Sequence, residues 1–114
     1  MDMNNACIYS FFYSGDGHAF YVKLGRSENV ERRMKEHKRS NPLLEEGPVI
    51  RPKGYISWAE TMVHNICKEL YEEIAPEHYK LTVEDRIDFE KTLTAIETSI
   101  SNSWNKLLKD LKGA

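Results

Sequence analysis

Residues 6–24 read Ala6-Cys7-Ile8-Tyr9-Ser10-Phe11-Phe12-Tyr13, then Ser14-Gly15-Asp16-Gly17-His18, then, after Ala19, Phe20-Tyr21-Val22-Lys23-Leu24. The two outer runs are rich in β-branched and aromatic residues, and the middle is a cluster of turn formers. This pattern predicts a β-hairpin with a loop longer than two residues. Side chains alternate across a strand, so Phe20, Val22 and Leu24 share one face while Tyr21 and Lys23 share the other. A lysine is a poor core residue, which makes the first set the buried one. If Ile8 and Phe12 join that core, Tyr9 lies on the outward side with Lys23.

The rest of the chain reads mainly as helix. Asn29 is placed to cap a helix from Val30 to Ser40, closed by Asn41-Pro42, and on it Arg33 and His37 stand four apart on one face. Gly47, Pro48, Pro52 and Gly54 mark a loop with a short third strand at Val49-Ile50 or Gly54-Tyr55-Ile56. Ser57-Trp58-Ala59-Glu60 reads as a capping box, serine at N-cap and glutamate at N3. The helix it opens carries Met62, Val63, Ile66, Cys67, Leu70 and Ile74 at helical spacing and is stopped by Pro76. Thr82-Val83-Glu84-Asp85 is a second box. Beyond it Phe89, Leu93, Ile96, Ile100, Trp104, Leu107 and Leu111 recur at steps of three and four, giving a helix of about 28 residues and ~40 Å. The expected fold is α+β: a small antiparallel sheet, hairpin plus short third strand, flanked by helices, with a long C-terminal helix. Residues 1–82 form the main body, and 83–114 pack on it and meet a second copy in a homodimer, within a single domain overall.

Composition sets the class. With 114 residues, 40% of them hydrophobic and 30% charged, the chain is sized for one ordinary soluble domain. No apolar run approaches the ~20 residues of a membrane span. Met1-Asp2-Met3-Asn4-Asn5 shows no basic patch before an apolar stretch, so no secretory signal is expected. Cys7 and Cys67 lack CxxC spacing and read as half-buried free thiols of an intracellular, cytoplasmic protein. The net charge is −2, yet Lys23 to Arg39 holds seven cations against three anions, while Glu60 to Lys80 holds five acids against two lysines. The first segment is suited to phosphates and the second repels them. Arg26, Arg32, Lys35, Lys38 and Arg39 are the candidate nucleic-acid contacts. His18, His37, His64 and His78 show no zinc-ligand spacing.

The ordered series Ile8-Tyr9, Lys23-Leu24-Gly25-Arg26-Ser27, Arg33 with His37, and Ala59-Glu60 with His64 resembles the GIY-YIG nuclease superfamily. Within it, the series looks like the phage-associated branch whose second motif reads Lys-Ile-Gly. The resemblance covers about residues 6 to 80. Cys7 stands where the family name has glycine, and Lys23 where it has tyrosine.

The resemblance implies a metal-dependent endonuclease that hydrolyses phosphodiester bonds in DNA, phage- or mobile-element-encoded. Carried over, Tyr9 helps activate water, Arg33 contacts phosphate and Glu60 holds one divalent metal, Mg²⁺ or Mn²⁺. Lys23 joins Tyr9, and His37 joins Arg33, in the catalytic set. The general base is Tyr9 or Lys23: the lysine lowers the tyrosine's pKa or acts itself. Arg32 competes with Arg33 for the phosphate, although it points about 100° away on the helix. Glu60 has a full structural role as an N3 cap, beside its role as metal ligand. His64, one turn on, reads as a partly buried histidine. The alternative function is a catalytically inactive module on the same scaffold that binds nucleic acid or protein.

Overall fold

The computed structural model describes residues 6–15 and 19–113. The expectations on Met1–Asn5 and on Asp16-Gly17-His18 lie outside the described residues. Strand β1 (Cys7–Ser14) pairs antiparallel with β2 (Phe20–Ser27), from Cys7 opposite Ser27 to Ser14 opposite Phe20. Helix α1 (Val30–Ser40) follows, with Asn29 Oδ1 accepting from the Arg32 backbone N–H at 3.1 Å. This is the expected N-cap. Next come β3 (Glu45–Glu46), α2 (Ile56–Leu70), β4 (Glu72–Ala75), β5 (His78–Leu81) and α3 (Val83–Lys112). The five strands form one antiparallel sheet in the order β3-β1-β2-β5-β4. The fold is α+β with a long C-terminal helix, as expected.

Three local expectations are corrected. The third strand is Glu45–Glu46, with Ile50 adding a single bridge to Ile8, and Gly54-Tyr55-Ile56 forms no strand. The helix expected to run to Pro76 ends at Leu70, because Tyr71 turns extended and packs on the core beside Phe89. Residues 72–81 then make a second hairpin, turning at Pro76-Glu77 with Glu77 at φ 70°. Finally, Ser57 is not an N-cap. The chain reverses at Gly54 (φ 103°), Tyr55 is the capping position without a side-chain bond, and the first helical bond runs from the Ala59 N–H to the Tyr55 carbonyl at 2.9 Å. Gly54 is needed there for its left-handed φ and because Trp104 lies against it, where a Cβ would come within 2.9 Å of the ring.

The sheet is buried on both faces, by different elements. On one face Ile8, Phe12, Val22, Leu24, Tyr79 and Leu81 meet Ala59, Val63 and Cys67 of α2 and Phe89, Leu93, Ile96 and Ile100 of α3. Each large apolar side chain fully buried here contributes roughly 1.5–3 kcal/mol. On the other face Tyr9 and Phe11 meet Met34 of α1, closed by Val30, Leu44 and Val49. Tyr9 therefore shares the Lys23 side, as expected, but it does not look out: α1 covers it. Cys7 and Cys67 are free thiols and are fully buried rather than half-buried; burial pushes the Cys67 thiol up to about 12. Helix α3 opens with the expected box, Thr82 Oγ1 accepting from the Asp85 N–H and Asp85 accepting from the Thr82 N–H. Among the described residues no helix is long and apolar enough to cross a membrane.

Candidate functional site

The register of the hairpin lines up one row of side chains on the α1 side of the sheet. Tyr9 is opposite Gly25, Phe11 opposite Lys23 and Tyr13 opposite Tyr21. On the far side of β2, Lys23 is opposite His78. Directly opposed residues share a face, so this row follows from the pairing alone. Gly25 is fixed by close approach, since a Cβ there would lie 2.6 Å from the Tyr9 hydroxyl oxygen.

Helix α1 adds the next layer. The Tyr9 hydroxyl and His37 Nε2 are 3.1 Å apart. The His37 ring leans on Phe11, with centroids 4.9 Å apart. Arg33, one turn earlier, lies beside Tyr9 and pairs with Glu36 at 3.2 Å, and both neighbours raise its pKa. Arg32 points into solvent, its side chain 69% exposed, and meets the other Glu36 oxygen at 3.6 Å. Lys23 Nζ sits 5.7 Å from the Tyr9 ring centroid, a cation over an aromatic face. The His37 pKa is lowered by burial first and by the charges of Lys23 and Arg33 next, which keeps the ring neutral near pH 7.

Glu60 approaches from the first turns of α2. As the fifth helical residue it caps nothing, so its carboxylate has no structural duty at the helix end. It pairs with Arg26 at 3.6 Å, and its pKa is raised by burial first and by Glu77 second, against Arg26 and Lys23. His64 Nδ1 is 2.6 Å from the Tyr79 hydroxyl, while its Nε2 is buried without a hydrogen-bond partner, 3.9 Å from Glu60 Oε2. Burial lowers the His64 pKa, so this contact is a neutral ring facing a carboxylate rather than an ion pair. Glu77 closes the group: one ligand atom each from Glu60, His64 and Glu77 lie within 4.8 Å of one another. Two carboxylates and an unpartnered imidazole nitrogen are a donor set that fits a divalent cation.

The structure thus brings Tyr9, Lys23, Arg33 and His37 onto one sheet face, with Lys23 also felt by Glu60. Arg26, on the opposite face of β2 from Lys23, pairs with Glu60 of the acidic group. Arg32, Lys35, Lys38 and Arg39 lie apart, on the solvent side of α1, where Lys38 is occupied by Glu46 at 3.1 Å. Glu77, His78 and Tyr13 were not among the expected site residues; the alternation His78-Tyr79-Lys80-Leu81 after Pro76 was the signal that could have placed His78 on a strand.

A family model described as the T5orf172 domain matches residues 6–104. The chain belongs to the T5orf172 domain family. This phage-associated domain is related to GIY-YIG and HNH-like nuclease folds, and membership makes the chain a nuclease-like or DNA-binding module. The T5orf172 match takes in every residue of the site and most of α3, further than the 6–80 expected from the motifs. Comparisons with curated proteins and with solved structures return no match.

Proposed function

We propose that this T5orf172 domain is a divalent-metal-dependent endonuclease of GIY-YIG type that hydrolyses phosphodiester bonds in DNA. The observation that carries the reading is the Tyr9–His37 hydrogen bond flanked by Arg33 and Lys23, with a carboxylate at Glu60 that caps no helix. Hydrolysis needs an acceptor for the proton of the attacking water, cations for the non-bridging oxygens and relief of charge on the leaving oxygen. Tyr9 is 1% exposed, whereas His37 is half-buried and borders an open hollow. His37 is therefore the group that meets water: its ring, held at Nε2 by the Tyr9 hydroxyl, takes the proton on its other nitrogen as the water oxygen bonds to phosphorus. Tyr9 positions the ring. Arg33 and Lys23 hold the non-bridging oxygens, whose charge grows as the bond to the leaving oxygen breaks.

Glu60, Glu77 and His64 would hold the metal, Mg²⁺ or Mn²⁺, whose preferred carboxylate ligands Glu60 and Glu77 supply. A metal bound there supplies charge for the leaving oxygen. Arg26, Arg32, Lys35 and Arg39 track the flanking phosphates. A second copy of this chain is the partner we infer for the exposed end of α3. Nicking of supercoiled plasmid in Mg²⁺ or Mn²⁺, abolished by EDTA, is the expected result. DNA binding without nicking in either metal would leave the binding-module reading in its place.

A further inference from the structure

The α1 helix covers only half of the sheet face it packs on. Past Phe11 the face runs uncovered into Tyr13, Tyr21 and His78, and here the surface sinks into a hollow of about 240 Å³ between Tyr13, His78, Lys23, His37 and Asn41, floored by Phe11. It is smaller than the ~300–1,000 Å³ of sites for drug-sized ligands, and suits a single ring system. Its walls are aromatic and braced from behind. Tyr13 stacks on Tyr21 with centroids 5.3 Å apart and planes at 24°, and its hydroxyl lies 2.6 Å from His78 Nδ1. His37 is held by Tyr9 on its other side. Among the described residues no carboxylate lines the hollow. Lys23 and His37 belong both to this hollow and to the cluster proposed to grip the scissile phosphate, so the hollow directly adjoins that cluster.

We propose that the hollow between Tyr13, His78 and His37 is a subsite for one unstacked nucleobase of the strand being cut. The ligand class rests on the nuclease reading, but the stacking geometry does not depend on hydrolysis. A duplex base cannot reach such a hollow without leaving its stack, and aromatic side chains repay that cost in a sequence-tolerant way. The braced walls are already in place, which keeps the ordering cost low. The subsite makes the domain favour a frayed, bulged or single-stranded nucleotide at the cut over a fully paired one.

The test is binding in EDTA, where no cleavage occurs, by fluorescence anisotropy at constant ionic strength. The probes are a thymidine octamer and an octamer of abasic sugar-phosphates with the same charge. The intact protein should bind the thymidine octamer about 5- to 150-fold more tightly, the range expected for one stacked base. Tyr13→Ala and His78→Ala should each shrink that preference, whereas Tyr13→Phe, which keeps the ring, should retain it; far-UV circular dichroism checks that the variants fold. Equal binding of the two octamers, or a preference that survives Tyr13→Ala and His78→Ala in folded protein, overturns the subsite. Since plasmid nicking is scored separately, loss of the subsite and loss of the nuclease reading are distinct results.

Discussion

Tyr9 and His37 share one hydrogen bond, yet only His37 borders solvent, and that difference in burial assigns their parts. A proton acceptor contributes about 10²–10⁴-fold to such a reaction, so His37→Ala should lower the single-turnover rate by that order. Tyr9→Phe removes an orienting contact and should cost less. The reverse ranking would make Tyr9 the base. The pH profile carries the same information. His37 must be neutral to take a proton, and burial with Lys23 and Arg33 lowers its pKa, so the rate should fall on acidification with a midpoint below the ordinary histidine value of about 6.5. Arg33→Ala should depress turnover by about 10²–10³-fold, because the charge it meets grows in the transition state. Arg32→Ala, at an exposed position, should cost only a modest, salt-dependent loss of affinity. Equal effects of the two would indicate a diffuse basic patch.

Helix ends show how local chemistry was legible and where it misled. Asn29 and Thr82 cap as their sequences imply, and α1 has its expected bounds. Ser57-Trp58-Ala59-Glu60 has the same signature, but its Ser57 is already the second residue of the helix. The Gly54 reversal and the Tyr55–Trp104 contact, centroids 5.5 Å apart, start α2 earlier. A tertiary contact from α3 thus decided the start of α2, and no window around Ser57 contains it. Thr82→Ala should cost ~1 kcal/mol in urea unfolding, while Ser57→Ala should stay within about 0.5 kcal/mol. A full capping loss at Ser57 would restore the rejected box. The same limit explains the missed hairpin. Leu70 and Ile74 continue the helical spacing, yet both are exposed, and it is pairing with β2 that makes Tyr79 and Leu81 core residues. Tyr9, Lys23, Arg33, His37 and Glu60 were readable because each sits in a short ordered motif. Glu77 and His78 were not, since residues 77–81 fell between the expected stop at Pro76 and the box at Thr82 with no element assigned to them.

The whole molecule is elongated, 54 × 30 × 21 Å with a radius of gyration of 15.0 Å, against about 13 Å for a compact domain of this length. The cause is α3, whose stripe is buried from Phe89 to Ile100 and then runs past the body, leaving Leu107 42% and Leu111 66% exposed. If a second copy covers this end, light scattering should give a dimer at tens of micromolar, and Leu107→Glu with Leu111→Glu should give a monomer. A wild-type monomer throughout would leave the stripe unpaired. The site itself is a property of the assembled molecule, since α1, β1, β2, α2 and the β4–β5 turn each supply part of it. Glu60 is where the reading is most exposed to test. It is a half-buried carboxylate raised in pKa by burial and by Glu77, and it caps no helix, so Glu60→Gln in EDTA should melt at or above the wild-type temperature. The deciding measurement is the single-turnover nicking rate of that folded variant in Mn²⁺ beside wild type: the account predicts that cleavage is abolished, and a Glu60→Gln protein that nicks at the wild-type rate would contradict it.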